Sequence, residues 1–99
     1  MSLQFIGDAA VYFPERDVIK VTALNGDSVI DCYVTRSALD AIGCKASLDV
    51  RAIQERFEDR RLDCEIAAMV KFRRATGKLL SVEITAADLA GIERRPHVA

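Results

Sequence analysis

The chain has 99 residues and a mass of 10.9 kDa, which is the size of one small domain. Hydrophobic residues make up 51% of it and charged residues 29%, a composition that excludes a disordered chain. The 14 basic and 15 acidic residues leave a net charge of −1, which excludes a general basic coat for nucleic acid. We expect a single domain over residues 1–99, with frayed ends at 1–8 and 93–99.

The sequence predicts a cytoplasmic protein. The N-terminus lacks the basic and apolar regions of a secretory signal peptide. No apolar run approaches the ~20 residues that a membrane-spanning helix needs, so we expect no membrane partner. Cys32, Cys44 and Cys64 are odd in number and irregularly spaced, which is typical of a reducing compartment rather than of a disulfide framework.

Two β-like runs flank an Asn-Gly pair in the first third of the chain. Val18–Leu24 and Ser28–Thr35 are rich in β-branched residues, and Asn25-Gly26 lies between them. Because both turn residues accept positive φ, the pattern predicts a β-hairpin. Ala10–Phe13 predicts a shorter strand that ends before a proline and that fits either edge of the sheet.

Helical patterns follow the hairpin. Arg36–Ile42 predicts a short helix that ends at Gly43 with a left-handed cap. Residues 47–76 contain neither Gly nor Pro, so they predict either one long helix or two helices joined by a kink. Leu79–Ile84 alternates as a strand does, and Thr85 followed by Asp88 resembles the capping box of a last short helix.

These elements predict an α+β fold. We expect a small antiparallel sheet of three to four strands, with an N-terminal hairpin, a short helix, a long or kinked helix and a C-terminal strand. The helices are expected to cover one face of the sheet.

The long helical segment carries apolar residues on two faces. At about 100° per residue, one face holds Leu62, Ile66, Met69 and Val70. Val50, Ile53 and Phe57 fall nearly opposite, in line with Cys64 and Ala68. A straight helix then needs burial on two sides, so either the chain bends near residues 58–59 or a second copy covers the second face. We favour the second copy because no residue there breaks a helix, and the predicted interface comprises Val50, Ile53, Phe57, Arg61 and Glu65.

A set of these residues resembles a known bacterial family. The set comprises Val29-Ile30-Asp31-Cys32-Tyr33-Val34, Leu39, Phe57-Glu58, Arg61, Asp63 and Glu65. Together they are similar to the family catalogued as domain of unknown function 1488, over nearly the whole chain. The resemblance implies a small α+β fold in a bacterial cytoplasm and no particular activity. The chain departs from the family pattern in its longer tail after Asp88 and in Cys64, where the family has a larger aliphatic residue.

The sequence contains few residues in patterns that are typical of a catalytic or metal site. The cysteines lack the paired spacing of metal ligands, and no glycine-rich phosphate loop is present. Cys44, beside Lys45, is the one candidate for a reactive thiol, although small buried hydrophobes are the simpler interpretation of the cysteines. His97 lies alone in the tail. We therefore expect no catalytic residues, no metal and no cofactor.

Basic residues cluster in the second half of the chain. A nucleic-acid contact would use Arg56, Arg60, Lys71, Arg73 and Arg74. The simpler interpretation is that acidic residues open the helix and basic residues close it, which complements the helix dipole. The sequence thus predicts a non-enzymatic interaction or regulatory module that forms a homodimer and binds a further protein partner. A nucleic-acid-associated protein is the disfavoured alternative.

Overall fold

The computed structural model describes residues 3–45, 49–75 and 80–93. The chain forms a sheet and a layer of helices, with three strands followed by three helices, which confirms the predicted α+β class. The elements in chain order are β1 (Gln4–Phe13), β2 (Val18–Asn25), β3 (Ser28–Val34), α1 (Arg36–Ala41), α2 (Val50–Asp59), α3 (Arg61–Arg74), β4 (Ser81–Ile84) and α4 (Ala86–Glu93).

The described strands form one four-stranded sheet in the order β1-β2-β3-β4. Strands β2 and β3 are antiparallel and pair from Asn25 and Ser28, with Gly26 at φ +61°, so the predicted hairpin is confirmed. The sheet is mostly antiparallel, as predicted, but strand β4 is parallel to β3. The direction follows from the connection, because the three helices between β3 and β4 carry the chain back to the end from which β3 started.

Strand β1 is longer than the predicted strand at Ala10–Phe13. It begins at Gln4, so residues 4–8, which were expected to fray, lie in a strand. It pairs antiparallel with β2 at the edge of the sheet, and its register shifts between Phe5 and Ala10. The predicted frayed tail lies outside the described residues, apart from Glu93, which ends α4.

The segment predicted to form either one long helix or two is two helices. Helix α2 ends at Asp59, and Arg60 at φ −118° and ψ +13° leaves the helical region before α3 begins at Arg61. The chain therefore bends, which was one of the two alternatives, although neither Gly nor Pro marks the break. Asp49 caps α2 by accepting a hydrogen bond from the backbone N–H of Ala52 at 2.8 Å.

The core lies between the helices and one face of the sheet. Its strand residues come from matched register positions, for example Val21, Cys32 and Val82 across β2, β3 and β4. All four helices contribute buried side chains to the same cluster, among them Leu39, Ile53, Phe57, Phe72 and Leu89. Within the described ranges, no helix is long and apolar enough to cross a membrane.

Candidate interaction surface

The predicted interface on α2 is largely inside the molecule. Ile53 and Phe57 are each 1% exposed and belong to the core cluster of the single chain. Val50, at the start of α2, is 45% exposed. A partner cannot bind residues that the chain already buries, so Ile53 and Phe57 are removed from the interface. The bend at Arg60, which was the alternative considered, accounts for their burial.

The predicted pair of Arg61 and Glu65 is present on α3. The Arg61 Nε donates to Glu65 Oε2 at 3.0 Å, and its Nη1 donates to Glu58 Oε1 at 3.1 Å. Burial by itself lowers the pKa of Arg61, but the two carboxylates outweigh it and the net shift is upward. This group ties the end of α2 to the start of α3 across the break, which is a structural role.

The five basic residues predicted to contact nucleic acid do not form one cluster of free charges. Arg60 donates to Asp63 at 2.8 Å, and Lys71 donates to Asp88 at 3.1 Å and to the Glu83 carbonyl oxygen at 2.6 Å. The other three candidates, Arg56, Arg73 and Arg74, are exposed. Arg56 lies on α2, whereas the other two end α3.

The three cysteine thiols are buried and point into the core. Burial raises the pKa of Cys32 and of Cys64 to about 12. Burial also raises the pKa of Cys44 and outweighs the nearby guanidinium groups of Arg36 and Arg56, and its Sγ donates to the Ile53 carbonyl oxygen at 3.4 Å. Each of these shifts opposes thiolate formation, so the geometry does not favour a reactive Cys44. Among the described residues, no three or more His, Cys, Asp or Glu side chains are placed to hold a metal ion.

We expect the native protein to react very slowly with a thiol-specific chromogenic reagent at neutral pH, because all three thiols are buried and protonated. After denaturation, all three cysteines should react rapidly. The measurement is the absorbance of the released dye with time, with and without denaturant. Rapid reaction of one thiol in the native protein, mapped to Cys44, would contradict the structure.

An apolar stripe runs along the outer side of α3. We define the outer α3 stripe as Leu62, Ile66, Met69 and Val70. Leu62 is 67% exposed and the other three are half-buried, with Met69 packed in part against the core. The opposite side of α3 is buried in the core. It carries three small residues and one aromatic residue, namely Cys64, Ala67, Ala68 and Phe72. The two apolar faces predicted from the sequence are therefore present, but the face left for a partner is the reverse of the one we expected.

Opposite charges bound the two ends of the outer α3 stripe. Asp63 lies in the first turn of α3, and Arg73 and Arg74 lie in the last turn. From helix periodicity, the side-chain directions of all three lie within about 80° of that of Ile66, measured as rotation about the axis of α3. Beside the stripe, a cavity of about 240 Å³ lies between α3 and α4. Val70 and Arg74 line it on one side, and Ala87, Gly91 and Ile92 line it on the other.

The open face of the sheet is a second surface with apolar residues. Val11, Lys20, Tyr33 and Glu83 form one row across the four strands on this face. Arg16 lies 4.8 Å from the centre of the Tyr33 ring, so a cation covers part of the aromatic surface. An antiparallel sheet commonly leaves one face to water, and the mixed polarity of this row fits that arrangement.

A polar cluster next to α1 fastens the β1–β2 turn, and it was not predicted from the sequence. Tyr12 donates its hydroxyl to Asp17 at 2.6 Å, and Asp17 has a positive φ of 54°. Arg36 lies 3.4 Å from the same carboxylate and donates to the Cys44 carbonyl oxygen. The cluster joins the turn, α1 and the loop after it, and within the described part of the chain the buried Nε and Nη1 of Arg36 have no hydrogen-bond partner.

The chain resembles one family and one solved structure. The model of the family described as a protein of unknown function (DUF1488) matches residues 3–81. A crystal structure of a protein of unknown function from the DUF1488 family of Shewanella loihica PV-4 is 21% identical, with a TM-score of 0.68. The match covers 84% of this chain and 91% of that one, and it shows that the fold is shared. No curated protein is significantly similar to the chain.

Proposed function

Because the chain belongs to the DUF1488 family, whose description gives no activity, we propose from its surface that it is a non-catalytic interaction module of the bacterial cytoplasm that self-associates through the outer α3 stripe. The observation that carries the proposal is the 67% exposure of Leu62 at one end of an apolar stripe on an ordered helix. A helix that covers a core normally turns charged residues outward, so an outward apolar stripe is typical of a binding surface.

The charges on α3 support a second copy as the occupant. A surface that binds its own copy must be complementary to itself. The outer α3 stripe has Asp63, whose carboxylate also accepts a hydrogen bond from Arg60, at one end and Arg73 and Arg74 at the other, so two copies in opposite directions bring carboxylate and guanidinium groups together.

The surroundings of the chemically reactive groups support a non-catalytic role. The three thiols are buried, which suppresses nucleophilic chemistry. The Asp88 carboxylate accepts hydrogen bonds from Thr85 and Lys71, and Glu65 is bonded to Arg61. These side chains have structural partners, and the Asp88 and Lys71 groups that line the cavity between α3 and α4 are bonded to each other.

Leu62→Lys is expected to convert the self-associated protein to a monomer, because an ammonium group at the most exposed point of the stripe cannot be desolvated there without cost. Molar mass in solution over a range of protein concentrations measures the effect. Val29→Lys is the matched control, since Val29 is 56% exposed on the open face of the sheet and away from α3.

Two results would overturn the proposal. A wild-type protein that remains monomeric at all concentrations would remove self-association. Dissociation by Val29→Lys but not by Leu62→Lys would move the interface to the open face of the sheet. Circular dichroism of both variants shows whether each retains the native fold, so that a loss of mass is not mistaken for unfolding.

A nucleic-acid-associated role is the second candidate, supported by the exposure of Arg56, Arg73 and Arg74. Such binding would weaken steeply with salt, because neutralised phosphates release counterions. The ion pairs of Arg60 and Lys71 weigh against it, since they reduce the positive field of α3. Fluorescence anisotropy of a labelled oligonucleotide at low and moderate salt measures the binding, and no binding at low salt removes this candidate.

A further inference from the structure

We infer that the two α3 helices pack antiparallel in the self-associated protein, with Asp63 of each copy beside Arg73 and Arg74 of the other. The inference rests on the proposed self-association and adds its direction and register. It identifies the residues that set the register, which the apolar stripe alone does not do.

The positions along α3 are symmetric about its middle. Helix α3 runs for 14 residues from Arg61 to Arg74. An antiparallel pair centred at residue 68 brings Ile66 of one copy level with Val70 of the other, and Asp63 level with Arg73. Because each residue rises about 1.5 Å along the helix, this centre brings Ile66 and Val70 together, sets Leu62 level with Arg74 of the other copy, and places the opposite charges at both ends of the contact.

A parallel pair of the same helices is electrostatically unfavourable. It would place Asp63 against Asp63 and the last-turn arginines against each other. Like charges that face each other across an interface select against that arrangement. The antiparallel pair also brings the negative end of each helix dipole near the positive end of the other.

The second copy also reaches the cavity between α3 and α4. Arg74 lines that cavity and projects to the same side of α3 as Asp63, by helix periodicity. When a two-fold axis perpendicular to the plane of the two helices relates the copies, the same flank of α3 faces the same direction in both of them. Asp63 of the second copy therefore lies at the mouth of the cavity, where it supplies a carboxylate to Arg74.

Disulfide trapping tests the direction of the helices. In the antiparallel pair, a cysteine at position 62 lies beside one at position 73 of the other copy, whereas two cysteines at position 62 are about 18 Å apart along the helix. A disulfide requires Cα atoms within about 7 Å. The native thiols are buried, so they do not compete under native conditions.

A mixture of the Leu62→Cys and Arg73→Cys proteins, one carrying a mass tag, should give the mixed disulfide dimer on mild oxidation. Neither protein alone should form a disulfide dimer. A disulfide dimer of Leu62→Cys alone would show a parallel pair and overturn the inference while leaving self-association intact. Monomeric wild-type protein would instead overturn the proposed function, so the two failures are distinguishable.

Charge reversal gives a second test that keeps the apolar stripe intact. Asp63→Lys alone, and Arg73→Glu with Arg74→Glu, should each raise the dimer dissociation constant roughly five- to tenfold, because both symmetry-related charge pairs are reversed. Mixing the two variant proteins should restore tight association. If Asp63→Lys leaves the dissociation constant unchanged, Asp63 does not face the basic end of the second copy and the inference is wrong.

Discussion

Phe57→Ala is expected to lower the free energy of unfolding by about 3–5 kcal/mol, because it removes a buried aromatic ring and leaves a cavity in a packed core. The ring is 1% exposed and belongs to the same cluster as Ile53 and Phe72. Natural domains of this size are stable by about 5–15 kcal/mol, so the loss would be a large part of the total. Urea denaturation followed by circular dichroism measures it.

Val50→Ala is the matched control on the same helix. Val50 is 45% exposed, so its truncation should change the free energy of unfolding by about 0.5 kcal/mol or less. If instead Phe57→Ala left stability unchanged and reduced self-association, Phe57 would be a surface residue and the interface first expected on α2 would stand. The same comparison explains why a charge at Phe57 is a poor test of an interface, since it would unfold the chain.

The local features of the fold could be read from the sequence because their causes are local. The Asn25-Gly26 pair correctly predicted a hairpin, although the two turn residues are Gly26 and Asp27, since Asn25 pairs with Ser28 and the positive φ is at Gly26. Gly43 has a positive φ of 86° just after α1, as the left-handed cap requires. The capping box expected from Thr85 and Asp88 is also present, since the Thr85 N–H donates to the Asp88 carboxylate at 2.8 Å.

The features that depend on the rest of the chain could not be read in the same way. Alternation along Ser81–Ile84 shows which side chains point to the core, but it is the same for a parallel and an antiparallel strand. The break at Arg60 has no Gly or Pro to signal it. On either side of this break, Phe57 of α2 and Phe72 of α3 are buried in one core.

The interface prediction failed for a related reason. Periodicity shows that α3 has two apolar faces, but it does not rank them for burial. The more hydrophobic set, with Leu62 and Ile66, would be the natural choice for the core. The chain buries the set with Ala67 and Ala68 instead, because small side chains let α3 approach its neighbours closely. Residue size, rather than hydrophobicity, was the informative signal in this helix.

Asp88→Ala is expected to lower the free energy of unfolding at neutral pH by about 1–2 kcal/mol, the usual cost of removing a helix-capping side chain. Its carboxylate accepts hydrogen bonds from the Thr85 N–H, the Thr85 hydroxyl and the Lys71 ammonium group. One side chain therefore caps α4 and ties it to α3. Urea denaturation at pH 7 measures the loss, and an unchanged midpoint would show that these bonds do not stabilise the fold.

The same carboxylate makes stability depend on acid pH. Burial by itself raises the pKa of Asp88, but the hydrogen bonds from Thr85 and the charge of Lys71 outweigh it and lower the pKa below its usual value. The stabilising contribution is thus fully present above the unfolded-state pKa of about 3.9, and it is lost as the pH falls through the lower folded-state pKa.

Asp88→Asn separates the charge from the cap, because the amide oxygen still accepts the bond from the Thr85 N–H but carries no charge for Lys71. We expect the wild type to be more stable than this variant at pH 7 and the difference to vanish at pH values well below 3.9, where Asp88 is protonated in both the folded and the unfolded chain. A difference that stays constant as the pH falls would show that the Asp88 charge does not contribute. The carboxylate would then act on α4 through its shape and hydrogen bonds alone, and α3 would be held by its buried residues.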